Sequence, residues 1–148
     1  MQKCTLALGC FWKPEENFKN KYGIIETEVG YAGGKKSEVT YEEVCTGKTG
    51  HAEVVRLTFD EKIISFKKIL ELFFKMHDPT QKDMQFPDIG TQYRSEIFYE
   101  NDNQKFEAEQ VLKEFDKKFD KKIQTNISKL KNYCKAEEYH QRYIEKNR

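Results

Sequence analysis

The sequence is poor in the residues that build metal clusters, disulfide frameworks and linkers: its 148 residues hold four cysteines, three histidines, three prolines, eight glycines and one tryptophan. Cys4, Cys10, Cys45 and Cys134 are scattered, with no Cys-x-x-Cys pair. That pattern suits neither a zinc site nor a secreted disulfide scaffold, and leaves room for a working thiol. The histidines fit neither HExxH nor a Cys/His metal spacing, so no metal is expected. Neither sign of charge prevails: 26 Lys plus Arg against 25 Asp plus Glu leaves a net +1, which argues against a dedicated polyanion binder and against a nucleic-acid partner. No run approaches the ~20 apolar residues of a membrane span, and the stretch after Met1-Gln2-Lys3 is too short for a signal-peptide core. A cytoplasmic protein with no membrane partner is expected. Gly30, Gly33 and Gly34 match neither a P-loop nor GxGxxG, so no phosphate cradle is expected. With no repeat or linker, residues 1–148 are expected to form a single domain.

Aromatic residues are what the chain has in quantity. Eleven Phe and eight Tyr each bury roughly 150–250 Å², enough to close a core although only 37% of residues are hydrophobic. Alternation of Cys4, Leu6 and Leu8 predicts a strand over Lys3–Gly9. Pro14 opens a helix to about Tyr22, and Ile24–Tyr31 reads as a second strand. A helical turn is expected over Tyr41–Cys45 and a third strand over Ala52–Phe59, followed by a helix marked by Phe66, Ile69, Leu70 and Phe73. Thr80–Thr91, with Pro87 and Gly90, reads as a long functional loop. Tyr93–Tyr99 is the next predicted strand; Asn101 or Asp102 then caps a helix whose face carries Phe106, Leu112, Phe115 and Phe119. A weak strand near Asn126–Leu130 and a helix around Glu137–Lys146 finish the chain. The order is that of the split βαβ unit, predicting an α+β, ferredoxin-like core with extra helices and long loops.

Cys10 ends a strand just before a helix. A helix N-terminus lowers the pKa of a thiol there, from about 8.5 towards neutrality, and would make Cys10 reactive; a small buried hydrophobe is the competing reading. Phe11 and Trp12 beside it offer core packing or a wall for a thioether-like group. Glu53 falls on the same face as Val55, Leu57 and Phe59. Burial there would raise its pKa and make it a general acid, unless it turns back to water at the strand's first residue. Tyr41, Tyr93 and Asp88, taken singly, are ordinary structural residues, with Tyr93 predicted on one strand face beside Ile97 and Tyr99. His51 would allow a cysteine hydrolase or acyltransferase built on Cys10 and His51, and a peptide-binding module whose aromatic pocket recognises methionine-like side chains without turnover is a further rival.

The run Gly9-Cys10-Phe11-Trp12-Lys13-Pro14-Glu15 resembles the GCFWxxE signature of the A-type peptide methionine sulfoxide reductases. Gly30-Tyr31-Ala32-Gly33-Gly34, Thr40-Tyr41-Glu42-Glu43-Val44, Thr49-Gly50-His51-Ala52-Glu53, Gly90-Thr91-Gln92-Tyr93-Arg94-Ser95 and Ala136-Glu137-Glu138-Tyr139-His140-Gln141 are similar to that family's other blocks, in its order. The resemblance covers almost the whole chain. It implies thiol-dependent reduction of the S epimer of methionine sulfoxide, free or in proteins, with no bound cofactor. It further implies that Cys10 attacks the sulfoxide sulfur and Glu53 protonates the oxygen. Tyr41 and Tyr93 would donate hydrogen bonds to that oxygen, Asp88 would organise the site, and Phe11 and Trp12 would take the methyl group. A Cys10 sulfenic acid would follow, reduced by a resolving cysteine or by an external thiol: thioredoxin, glutaredoxin or, in vitro, dithiothreitol. The family's usual cysteine-bearing tail beyond the AEEYHQ block has no counterpart among residues 1–148. Cys4 is too far along its strand to pair with Cys10, Cys45 sits on the helical face of Tyr41, and Cys134, just before the AEEYHQ block, is the possible resolving thiol.

Overall fold

A computed structural model describes residues 1–148. It contains β1 (Gln2–Leu8), α1 (Trp12–Lys19), β2 (Ile24–Ala32), α2 (Tyr41–Cys45), β3 (Ala52–Phe59), α3 (Phe66–Met76), β4 (Met84–Gln85), β5 (Asp88–Ile89), β6 (Ser95–Tyr99), α4 (Asp102–Asp116), β7 (Asn126–Lys129), β8 (Cys134–Lys135) and α5 (Tyr143–Lys146). Short 3₁₀ turns occupy Thr91–Tyr93 and Glu138–His140.

Six strands form one sheet in the order β7-β6-β1-β3-β2-β8. β1 and β2 run parallel but are separated by β3, which is antiparallel to both. With β6 antiparallel to β1 on its other side, the four central strands make the split βαβ arrangement expected from the element order. β7 extends one edge in parallel with β6, and β8 extends the other against β2.

Strand alternation sorts the side chains. Cys4, Leu6, Leu8, Val29, Tyr31, Val55, Leu57, Phe59 and Ile97 belong to the large core shared with Phe18 of α1, Ile69, Leu70, Phe73 and Phe74 of α3, and Val111 and Phe115 of α4. The Phe74 and Phe115 rings stack at 5.1 Å, joining α3 to α4. The opposite sheet face has a smaller cluster, Ala7, Ala32, Ala52, Val54 and Phe98, covered by Leu130 and Tyr133. Its small side chains let the 130–133 segment lie close.

Most helix starts are capped as their sequences direct. Thr40 and Glu43 form a reciprocal capping box, the Ser65 hydroxyl accepts from the Lys68 N–H, and the Asn101 side chain accepts from the Gln104 N–H. α1 has no side-chain cap, which leaves its first N–H groups free for the site described below.

Several boundaries differ from expectation. α1 begins at Trp12, two residues before Pro14, and ends at Lys19. The expected Tyr93–Tyr99 strand starts at Ser95, because Tyr93 and Arg94 bond back to Gly90 and Thr91 and close a 3₁₀ turn. Tyr93 therefore does not share a strand face with Ile97. The loop over 80–91 contains the small β4/β5 hairpin, and α4 stops before Phe119. The expected C-terminal helix is interrupted at Arg142, whose φ of 51° is left-handed and whose N–H donates to Glu15 at 2.7 Å. This break lets Gln141 turn inward, where its side chain accepts from the Val29 N–H and donates to the carbonyls of Val29 and Ala136, each at 2.9 Å. At a net ~1 kcal/mol per bond, with a larger penalty for any main-chain group left unpaired, those three bonds fasten the C-terminal segment to β2.

Candidate active site

The turn that follows β1 carries Cys10. Gly9 makes it possible: its φ is +93°, and a Cβ there would come within 3.0 Å of the Gln85 side chain. The β4/β5 hairpin thus lies directly over the turn. Beyond it α1 begins, and its uncapped N–H groups face the site. The Phe11 N–H donates to Glu53 Oε1 at 3.3 Å, and the Trp12 N–H is directed at the Cys10 thiol.

Glu53 is 1% exposed, on the helix-bearing face of β3. It has not turned back to water. Burial pushes its carboxyl up to about 7; the hydrogen bonds from Gln92 and from the Phe11 N–H pull the other way, and the charge of Asp88 adds to the rise. The acid is therefore partly protonated at neutral pH, as its apolar strand face leads one to expect.

The thiol behaves differently from its local expectation. Burial pushes Cys10 up to about 12, the Trp12 N–H opposes this, and the charges of Glu53 and Asp88 add to the rise. The helix N-terminus acts in the expected direction but loses to desolvation and two carboxylates. Cys10 rests as a thiol at neutral pH.

Asp88 comes from the hairpin, and its charge is felt at Cys10, Glu53 and Tyr93. Burial pushes the Tyr93 hydroxyl up to about 12, with Glu53 and Asp88 adding to it. Burial also raises Tyr41, whose hydroxyl lies against the Cys45 thiol. Both tyrosines stay protonated, half-buried donors at the same cluster of charges. Phe11 is fully buried, its ring 5.8 Å from Tyr31 and 5.2 Å from His140. Trp12 is half-buried and stacks on Tyr143 at 3.8 Å.

Sequence reasoning singled out neither His140 nor Gln92, although both lie within blocks that resemble the family. His140 Nδ1 accepts from the Trp12 indole N–H at 3.1 Å, and its ring lies 4.7 Å from that of Tyr41. Gln92, 6% exposed, donates to Glu53 Oε2 at 3.1 Å and to the Cys45 sulfur at 3.5 Å. Glu137 ties the aromatic cluster together, accepting from the Tyr31 hydroxyl at 2.8 Å and from the Tyr41 N–H at 2.9 Å. All three act across more than thirty residues of chain, a reach that spacing does not reveal.

Residues 2–148 match the family described as peptide methionine sulfoxide reductase. The chain belongs to that family. It is 59% identical over 146 residues to the peptide methionine sulfoxide reductase MsrA of Pelagibacter ubique, with 99% of each chain covered. The structure of reduced Mxr1 from Saccharomyces cerevisiae matches with a TM-score of 0.95 at 41% identity, over 99% of this chain and 85% of that one. Mxr1 in complex with Trx2 matches with a TM-score of 0.69 at 29% identity, over 94% of this chain and 83% of that one. The reaction is accordingly the thiol-dependent reduction of methionine S-sulfoxide to methionine.

A reductase with this membership does not support the cysteine hydrolase built on Cys10 and His51. His51 is packed where Gly34 leaves room: a Cβ on Gly34 would meet its Nδ1 at 2.0 Å. Neither ring nitrogen has a side-chain or main-chain hydrogen-bond partner of normal geometry, and the groups acting on the Cys10 thiol are Trp12, Glu53 and Asp88. The other thiols separate as well. Cys4 is fully buried, and burial raises it far above the ordinary range. Cys45 is exposed at the end of α2, against Tyr41 and Gln92. Cys134 is half-buried on β8, opposite Tyr31, with its sulfur 3.6 Å from the Val39 carbonyl.

No group of three His, Cys, Asp or Glu side chains converges as metal ligands would, and no helix is long and apolar enough to cross a membrane. A cleft elsewhere, over the open face of β1, β2 and β3, is lined by Lys3, Arg56 and Lys135. Its Arg56 and Lys135 are already paired with Glu100 and Glu28.

Proposed function

We propose that residues 1–148 form one catalytic domain in which Cys10 is the nucleophile and Glu53 the general acid. The observation that carries this reading is the junction at the start of α1, where a single turn presents the Cys10 thiol and, one residue on, bonds the buried, half-protonated carboxyl of Glu53. In the productive form the single proton of the pair resides on Glu53 and Cys10 is a thiolate. The thiolate attacks the sulfoxide sulfur as Glu53 delivers its proton to the sulfoxide oxygen. Breaking the substrate S–O bond transfers the hydroxyl to Cys10: methionine leaves, reduced by two electrons, and Cys10 becomes a sulfenic acid, oxidised by two. Tyr41 and Tyr93 donate hydrogen bonds to the oxygen while its charge develops, and Asp88 organises the polar side of the pocket. Phe11 and Trp12, with His140 holding the indole, form the apolar wall for the methyl group.

The sulfenic acid is returned to a thiol by two external thiols, which leave as a disulfide with one water. A thioredoxin- or glutaredoxin-type dithiol fills that role in the cell, a reading supported by the complex that the similar yeast protein makes with Trx2, and dithiothreitol serves in vitro. Direct attack is favoured over capture by Cys134. Cys134 stands on the edge strand β8 with its sulfur against the Val39 carbonyl, and the groups acting on the Cys10 thiol are instead Trp12, Glu53 and Asp88, whereas a disulfide needs Cα atoms within roughly 7 Å. The Cys134 route therefore requires the two sulfurs to be brought together after Cys10 is oxidised. The reaction needs no bound cofactor, and the chain works in the cytoplasm on free methionine sulfoxide and on oxidised proteins.

The test is stereochemical. With dithiothreitol as reductant, purified protein should reduce the S epimer of N-acetyl methionine sulfoxide and leave the R epimer untouched over the same time. Equal rates on the two epimers would remove the assigned oxygen-binding geometry.

A further inference from the structure

Glu53 is held at both carboxyl oxygens, and only one of the two holders is a side chain. Oε1 takes the Phe11 N–H at the start of α1, and Oε2 takes the side-chain amide of Gln92. Resting on the reading of Glu53 as the acid, we infer that Gln92 is a positioning residue: its amide clamps the Glu53 carboxyl against the start of α1, so that the acid faces a sulfoxide oxygen seated over Cys10.

The clamp has a rigid mounting. Gln92 stands in the middle of the 3₁₀ turn closed by the bonds from Tyr93 to Gly90 and from Arg94 to Thr91. Arg94 fixes that turn to the rest of the molecule, donating to the Thr91 and Gly50 carbonyls at 3.0 Å each and to Glu96 at 2.6 Å. Gly50 lies just before β3, the strand that carries Glu53. Acid and clamp are therefore referenced to the same end of the same strand. Gln92 is buried, so its amide needs partners within the protein, and those it has are Glu53 and the Cys45 sulfur.

Removing the donor has two consequences. A buried carboxyl bonded at one oxygen is free to swing about its terminal torsion, which degrades proton delivery more than substrate binding. A carboxylate that loses a hydrogen bond is also harder to ionise, so Glu53 titrates at a higher pH than its present value of about 7.

The experiment is the pH dependence of the single-turnover reduction of N-acetyl methionine S-sulfoxide by wild type, Gln92→Met and Gln92→Glu. Wild type should lose activity below a midpoint near 7. Gln92→Met should move that midpoint up by about one pH unit, the equivalent of a hydrogen bond to a charged group. It should also lower the maximal rate about tenfold while changing KM less than about threefold, the split expected of an orienting contact. Gln92→Glu keeps the shape of the side chain but places a second carboxyl against the first, and should move the midpoint in the same direction. A folded variant whose midpoint stays at the wild-type pH would overturn the inference, and so would failure of both variants to fold, which assigns Gln92 to the fold instead. If Glu53→Gln itself keeps the wild-type midpoint and the level region above it, the reading of Glu53 fails, a result that the Gln92 variants cannot mimic.

Discussion

Cys10→Ser is expected to lower S-sulfoxide reduction by about 10⁴-fold or more, to the background of the assay. A hydroxyl is a far weaker nucleophile towards sulfur, and it cannot hold the transferred oxygen as a reversible sulfenic acid. The substitution exchanges one atom in a half-buried side chain and keeps its hydrogen-bonding capacity. Stability should therefore shift by less than ~1 kcal/mol, and thermal melts of the two proteins should nearly coincide. Loss of activity with an unchanged melt places the effect in the chemistry. Residual activity within about tenfold of wild type would mean that another thiol attacks the sulfoxide, and Cys45, exposed beside Tyr41 and Gln92, would be the next to replace.

Glu53→Gln is the second large effect. Losing a positioned general acid typically costs 10²–10⁴ in rate, and a reduction of about 10²- to 10³-fold is expected here. The amide keeps the volume of the carboxyl, and Gln92 can turn its carbonyl to accept from the new amide, so the fold is retained. The pH profile carries the sharper information. With Glu53 near 7 and Cys10 near 12, the pair holds two protons below pH 7 and one between those values. The productive arrangement, thiolate with carboxylic acid, has one proton. Activity of the wild type should therefore fall about tenfold per unit as pH drops below 7, and run level above it. In Glu53→Gln the level region should disappear, because the rate then follows the thiolate alone and rises with pH throughout. A variant that keeps the wild-type plateau would show that a different group supplies the proton.

The parts of the fold and of the site that are legible in the sequence are those fixed by local periodicity. The strand over 52–59 puts Glu53 among Val55, Leu57 and Phe59 by simple alternation, and that face is the buried one. The strand-turn-helix around Cys10 follows in the same way from Leu6, Leu8 and Gly9. What escaped was set by tertiary contact. Tyr93 falls in a turn because the chain closes on Gly90 and is pinned through Arg94 to Gly50, a long-range contact that overrides the alternating pattern of 93–99. The helical pattern over 137–146 gives way because Gln141 finds Val29 and the Arg142 N–H finds Glu15. The local expectation for the thiol failed for a related reason. A helix N-terminus was visible in the sequence, but the burial and the two carboxylates that outweigh it come together only in the fold. His140, Glu137 and Gln92, all part of the site, show no periodic signature, since each is defined by a partner on a distant element.

The most direct test of the central claim is a single turnover without reductant. Protein with fully reduced cysteines is mixed with excess N-acetyl methionine S-sulfoxide, the N-acetyl methionine formed is counted, and the cysteines are mapped by mass spectrometry after addition of a sulfenic-acid trap. One equivalent of N-acetyl methionine per chain, with the trap attached to Cys10 and to no other cysteine, is the predicted result. No product in the absence of reductant, or the oxidation equivalent found away from Cys10, would contradict it.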